Sequence, residues 1–169
     1  MTREAALLVI AAVAVALIAV LAWAWIRRTR RDSGIAAPVA EAPDSAATIA
    51  TYRALYVATT QHAAPLERLA ISGLAFRSRG DVTITDAGLA LDLTGAPRVF
   101  FDTGRIVDVA QATVAIDRVV ERDGLVRLSW RTDGGTVVDT YLRPQDASAR
   151  ALAVSIGSIL TPSQIGSDA

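Results

Sequence analysis

Asp102, Thr103 and Gly104 follow the apolar run Val99-Phe100-Phe101. A carboxylate at the end of such a run can do acid–base chemistry when a second one, from another lobe or subunit, shares its proton. The chain holds a single copy of the triplet, so this chemistry requires a dimer. The simpler reading is a hairpin turn, in which Asp and Gly supply backbone tolerance. A second constellation is cationic: Arg77 and Arg79 alternate at the entry to a predicted hairpin, with Arg98 near a later turn. Alternate residues of a strand share a face, so the pair can meet an anion together, although Asp81 follows and lowers the local potential. His62 is the sole histidine, with no cysteine to complete a metal site, and reads as a surface or partly packed side chain. Asp117, Glu121 and Asp123 offer oxygen ligands but lack the spacing of a calcium loop.

Composition narrows the chemistry further. There is no cysteine and no lysine among the 169 residues, which removes thiolate zinc sites, disulfide scaffolds, the P-loop lysine and the Schiff-base lysine. The formal charge is zero overall, yet five arginines flank the N-terminal apolar run. From Asp32 onward twelve Arg face sixteen Asp plus Glu, a net of −4. A mildly acidic domain is not built for nucleic acid, which calls for a basic patch. No cofactor is expected.

The elements that must position these residues begin with Ala5 to Ile26, which carry no charge and are followed by Arg27, Arg28, Thr29, Arg30 and Arg31. As a helix this run is about 33 Å long, enough to cross a hydrocarbon core of about 30 Å. Trp23 and Trp25 suit the headgroup level, and the arginines after them predict a cytoplasmic location for everything that follows. A cleaved signal peptide fits poorly, since its apolar core is shorter and its cations precede it. Residues 32–50 are rich in Ala, Pro and Ser and read as a flexible tether with a span of roughly 20 to 25 Å. Residues 162–169 read as a disordered tail.

Between them, Ile49 to Leu69 fits helix or strand, and the pattern then becomes that of an antiparallel meander. Ile71 to Arg77, Val82 to Thr85, Leu89 to Leu93, Arg98 to Asp102, Arg105 to Val109, Val126 to Arg131 and Thr136 to Leu142 are separated by turn residues such as Asp86-Ala87-Gly88 and Asp133-Gly134-Gly135. The stretch from Ile106 to Val120 also admits a helical turn. Pro144 suits the first turn of a closing helix, with Leu152, Ile156 and Ile159 on one face until Pro162. The predicted fold is mainly β: one N-terminal transmembrane helix, then a partly open antiparallel β-barrel of about seven strands over residues 51–161, capped by a C-terminal α-helix.

Gly73-Leu74-Ala75-Phe76-Arg77, Asp86-Ala87-Gly88-Leu89, the run from Asp117 to Leu125 with Trp130, and Asp139-Thr140-Tyr141-Leu142-Arg143 together resemble the pleckstrin-homology-like (PH-like) domains of small single-pass membrane proteins in high-GC bacteria. The resemblance covers roughly Tyr52 to Leu160. It implies a PH-like fold behind an anchor and a short linker, and it brings no catalytic signature. Some eukaryotic PH domains hold an anionic headgroup with basic residues at the first hairpin, which makes Arg77, Arg79 and Arg98 the candidate anion-binding residues. The expected function is non-enzymatic: a binding or scaffolding module at the inner membrane that contacts the lipid bilayer through its anchor and a membrane-associated protein partner through a strand edge or groove. The alternatives are an accessory subunit of a transporter or membrane complex, and a dimeric aspartic-protease-like enzyme using Asp102; Asp102-Thr103-Gly104 resembles the triplet of that family, which places a small residue where Arg105 stands.

Overall fold

A computed structural model describes residues 3–32, 35–74, 76–115, 118–119 and 124–160. The chain divides into two units, residues 1–34 and 35–169. The first holds helix α1 (Arg3–Asp32), apolar from Ala5 to Ile26 and rich in arginine after it. Its span Leu7–Arg27 is long and apolar enough to cross a membrane, and none of that span is buried. Arg27 lies over the Trp23 ring, 5.4 Å from its centroid, one turn apart on the same face.

The second unit is mainly β. Its strands are β1 (Thr48–Gln61), β2 (Ala64–Arg68), β3 (Ser78–Thr85), β4 (Gly88–Leu93), β5 (Val99–Asp102), β6 (Ile106–Ala112), β7 (Val114–Ala115), β8 (Arg118–Val119), β9 (Leu125–Arg131) and β10 (Val137–Pro144), followed by helix α2 (Ala149–Gly157). The main sheet has eight antiparallel strands in the order β5-β4-β3-β1-β10-β9-β6, with β2 added to β1; β7 and β8 form a separate hairpin. The sheet is open: β5 and β6 are its two ends and do not pair. β1 is long because it serves three neighbours. Residues from Thr48 to Tyr56 lie against β3, Thr60 and Gln61 lie against β2, and from Ala54 onward its other edge lies against β10.

Alternation sets the core. Val82 and Ile84 of β3, Leu89, Leu91 and Leu93 of β4, Val126, Leu128 and Trp130 of β9, and Val138 and Leu142 of β10 all point into one cluster, joined by Ala149, Leu152 and Ile156 of α2. Period-2 strands and a period-3.6 helix thus bury their apolar faces against each other. Trp130 is fully buried, with the Phe101 ring 5.0 Å away and tilted by 59°. A hydrogen-bonded chain crosses this core. Trp130 Nε1 donates to Thr140 Oγ1 (2.9 Å), Thr140 Oγ1 meets Thr59 Oγ1 (2.8 Å), and the Tyr56 hydroxyl reaches Thr59 Oγ1 (3.0 Å) and the Leu74 carbonyl (2.5 Å). Every buried polar atom on this path is therefore paired, as a core of low polarity requires. Burial pushes the Tyr56 phenol up to about 12, against the pull of its Thr59 bond.

Several expectations are corrected. The described residues of Ile71 to Arg77 form no strand. Leu74 N–H closes a turn onto the Ile71 carbonyl at 3.0 Å, Gly73 takes φ 80°, and Ile71 and Leu74 are fully buried as anchors of a loop. Their apolarity reports burial and not strand pairing. Ile106 to Ala112 is strand, without a helical turn. Pro144 ends β10 opposite Ala54; the helix starts five residues later, capped by the Ser148 hydroxyl, which accepts from Ala151 N–H at 3.1 Å. Residues 35–47, which read as a tether, lie on the domain: Ala37 is buried in the core and Val39 bridges Val99. Small residues and proline, poor at forming a core, still fit against one. The tail at 162–169 and the cluster Asp117, Glu121 and Asp123 lie outside the described residues.

Candidate functional site

The open end of the sheet at β6 is the first place where the fold offers binding capacity. Among the described residues no strand pairs with the outer edge of β6, and a terminal strand of this kind is where an incoming strand can add. Helix α2 runs beside it, with Val109 and Ala153 packed against the core and Gly157 close enough that a β-carbon there would stand 3.8 Å from Val109 Cγ1. Val154 stays 64 % exposed. Two contacts with β1 position the helix, one in its last turns and one just before its N-terminus. Tyr52 Oη meets Ser155 Oγ at 2.7 Å, tying α2 to β1. Before its N-terminus, Asp146 accepts from the Arg53 backbone N–H at 3.1 and 3.2 Å. That backbone bond, aided by the Arg53 side chain, holds the Asp146 carboxyl below the usual carboxylate range.

The second feature lies on the sheet face opposite the main core, where β10 points Asp139 and Tyr141. Asp139 is fully buried and accepts three hydrogen bonds: from Ser129 Oγ (2.6 Å), from the Ala63 backbone N–H (3.1 Å), and from His62 Nδ1 (2.9 Å). The His62 side chain is 48 % exposed, with the ring held through Nδ1. His62 and Ala63 form the two-residue turn between β1 and β2, and Ala63 takes φ 58°, a left-handed conformation unusual for alanine. Burial pushes the Tyr141 phenol up, helped by the negative charge of Asp139, while Arg127 pulls the other way. Arg127 in turn pairs with Asp108 at 2.8 Å.

This cluster differs from a nucleophilic triad in connectivity. There the imidazole bridges hydroxyl and carboxylate; here the carboxylate bridges hydroxyl and imidazole, and Ser129 is fully buried. Its evident work is mechanical, because Asp139 holds the His62-Ala63 turn in a strained conformation and so fixes β2 on β1. Sequence reasoning placed His62 correctly as a partly packed side chain but missed its partner. The pair is 77 residues apart, and only the β1–β10 register, which sets Thr60 opposite Asp139, brings them together.

The other sequence candidates are dispersed. Arg98 is bound to Asp92 (Nε to Oδ1, 2.5 Å) and to Glu41 (Nη1 to Oε2, 2.8 Å), and these bonds, that to Asp92 foremost, raise its pKa. A guanidinium so paired has little charge left for an anion. Arg77 and Arg79 are exposed, in the loop before β3 and in β3 itself. Asp102 closes the turn between β5 and β6, which do not pair: its Oδ1 accepts from Arg105 N–H at 3.0 Å and its carboxylate pairs with Arg105 Nε at 3.5 Å. Arg105 also meets Asp133 at 2.7 Å. The residue that departs from the protease pattern is thus the one that secures the turn. Trp23, Trp25 and Arg27 lie on α1, as do Arg28, Arg30 and Arg31.

No curated protein matches the chain. Solved structures are similar to it, among them the following two. One is a chain of the 8S snRNP assembly intermediate, with TM-score 0.51 and 13 % identity over 77 % of this chain and 95 % of that one. The other is the C-terminal domain of an unknown protein from Leishmania infantum, with TM-score 0.44 and 12 % identity over 69 % and 86 %. At such identity the first likeness concerns the fold alone. An open antiparallel sheet closed off by one C-terminal helix, with turn glycines and core aromatics at its joints, agrees with the family model for bacterial PH domain-like proteins, which matches residues 34–156; the chain belongs to that family.

Proposed function

We propose that the chain is a membrane-anchored binding module that acts without catalysis: α1 spans the inner membrane, the PH-like domain faces the cytoplasm, and the β6 edge receives an extended segment of a membrane-associated protein. The reading is supported by one observation above all, a terminal strand paired on one side only, whose outer edge meets no strand among the described residues, beside a helix tied to β1 near its C-terminus and just before its N-terminus. Strand addition draws affinity from backbone hydrogen bonds and selectivity from neighbouring side-chain pockets. The arginines after Ile26 support the orientation.

Two measurements test this. A reporter fused after Ala169 should be active only in its cytoplasmic form; activity on the outer side overturns the topology. For the edge, of the adjacent residues Ala110 and Gln111 one directs its N–H toward β9 and the other away from the sheet. Proline at the outward position leaves the melting temperature nearly unchanged and removes a donor that only a partner strand uses. The stoichiometric membrane partner that co-purifies with the wild-type chain in mild detergent should be lost with that variant. Retention of the partner at full yield would falsify β6 as the docking edge.

A further inference from the structure

β5 is the other terminal strand, and its outer edge is occupied by the chain itself. Phe100 N–H donates to the Pro38 carbonyl at 2.9 Å, and Val39 faces Val99 across an isolated antiparallel bridge. Ala37 is buried in the core, and Glu41 pairs with Arg98 at 2.8 Å. These contacts are few for a strand. Val39 N–H turns back onto the Ala37 carbonyl at 2.8 Å, which bends the segment away, so the Phe101–Asp102 end of β5 is bridged by no described residue. Val39 is 58 % exposed. The segment therefore covers half an edge with one bridge, one flanking backbone hydrogen bond, one small buried side chain, the partly buried Ile35 just before it and one exposed ion pair.

We propose that residues 37–41 are an intrasteric strap: they fill a strand-addition site on β5 that an extended segment of a partner protein takes over. The strap itself describes the ligand: a small apolar residue for the Ala37 site, a β-branched residue opposite Val99, and an acid two positions later for Arg98. An incoming strand that pairs with all of β5 gains edge hydrogen bonds that the bent strap forgoes. Because the strap is also the segment through which the chain enters the domain, lifting it changes how the domain is tethered. The inference does not rest on the β6 reading, since it concerns the opposite end of the sheet.

The test uses the full chain in detergent micelles and a fluorescein-labelled peptide copying residues 35–42. The chain has no cysteine, so Val39→Cys with Val99→Cys makes a unique disulfide. The Phe100 bond to Pro38 flanks that pair, which is of the non-hydrogen-bonded kind, with Cα atoms about 4.5 Å apart, within disulfide reach. Glu41→Arg replaces the exposed ion pair with a like-charge contact to Arg98, and the double variant Val39→Asp with Glu41→Arg weakens the bridge as well. Peptide affinity should rise at least threefold with Glu41→Arg and tenfold with the double variant over wild type. Binding should vanish in the disulfide form and return on reduction. A peptide with arginine in place of its glutamate should bind tenfold more weakly, and Arg98→Glu should restore it. Equal binding to locked and weakened chains, or no binding to the folded Glu41→Arg chain, overturns the proposal. The β6 proline variant should leave peptide binding unchanged, which separates the two edges.

Discussion

Replacing Asp139 tests the cluster on the outer sheet face, because its three donors are unequal. Ser129 Oγ is fully buried, the Ala63 N–H sits in a strained turn, and His62 is half exposed and can turn to water. Asp139→Ala orphans the first two. A hydrogen bond to a charged group contributes about 1.5 to 3 kcal/mol, and relief from burying a carboxylate offsets part of the loss, leaving about 3 to 5 kcal/mol. Asp139→Asn behaves differently. Its amide oxygen can accept from Ala63 N–H only if its NH2 faces Ser129 and His62, which requires Nδ1 to be bare and the ring proton to move to Nε2. With that tautomer only the Ser129 hydroxyl proton loses its acceptor, so Asn costs about 1 to 2 kcal/mol. Urea unfolding of the full chain in detergent, followed by tryptophan fluorescence, reads both values, since Trp130 is the one tryptophan of the domain. Nitrogen chemical shifts of the ring report the tautomer. A cost under 1 kcal/mol for Ala, or equal costs for Ala and Asn, would refute the bridging role of the carboxylate.

Three further outcomes are expected. Ala63→Gly relieves a left-handed alanine at φ 58° and should raise stability by about 0.5 to 1 kcal/mol in the same assay, whereas Ala63→Val should lower it. Thr140→Val keeps the shape but strands the Trp130 Nε1–H, and should cost about 1 to 3 kcal/mol; combining it with Trp130→Phe should cost less than the sum of the two. Tyr56 keeps its proton to about 12 in the folded chain against 10.0 unfolded. Its contribution is therefore complete below pH 10 and is lost as pH rises toward 12, about 2 to 3 kcal/mol in all at 1.36 kcal/mol per unit. Tyr56→Phe should flatten that alkaline fall in stability, and an unchanged slope would count against the burial of the phenol.

The sequence by itself determined whatever depends on local pattern. An uncharged run of anchor length, strands with alternating apolar residues around Trp130, turns at Asp-Gly pairs and a closing amphipathic helix all follow from periodicity and chain stiffness, which act over a few residues. Where local pattern and burial part company, the sequence misled. Ile71 and Leu74 look like a strand because they are apolar, but they plug the core from a loop. Pro144 looks like a helix start, but the Ser148 hydroxyl caps the helix, and Pro144 is free to end β10. Only the tertiary structure decided which side chains meet across long separations. The β1–β10 register joined His62 to Asp139, the β4–β5 corner gave Arg98 to Asp92 and Glu41, and the order of strands left β6 open while Pro38 and Val39 covered β5. These pairings carry no signature in spacing, because contact between distant residues is set by strand register, and a shift of one residue would turn every side chain to the other face.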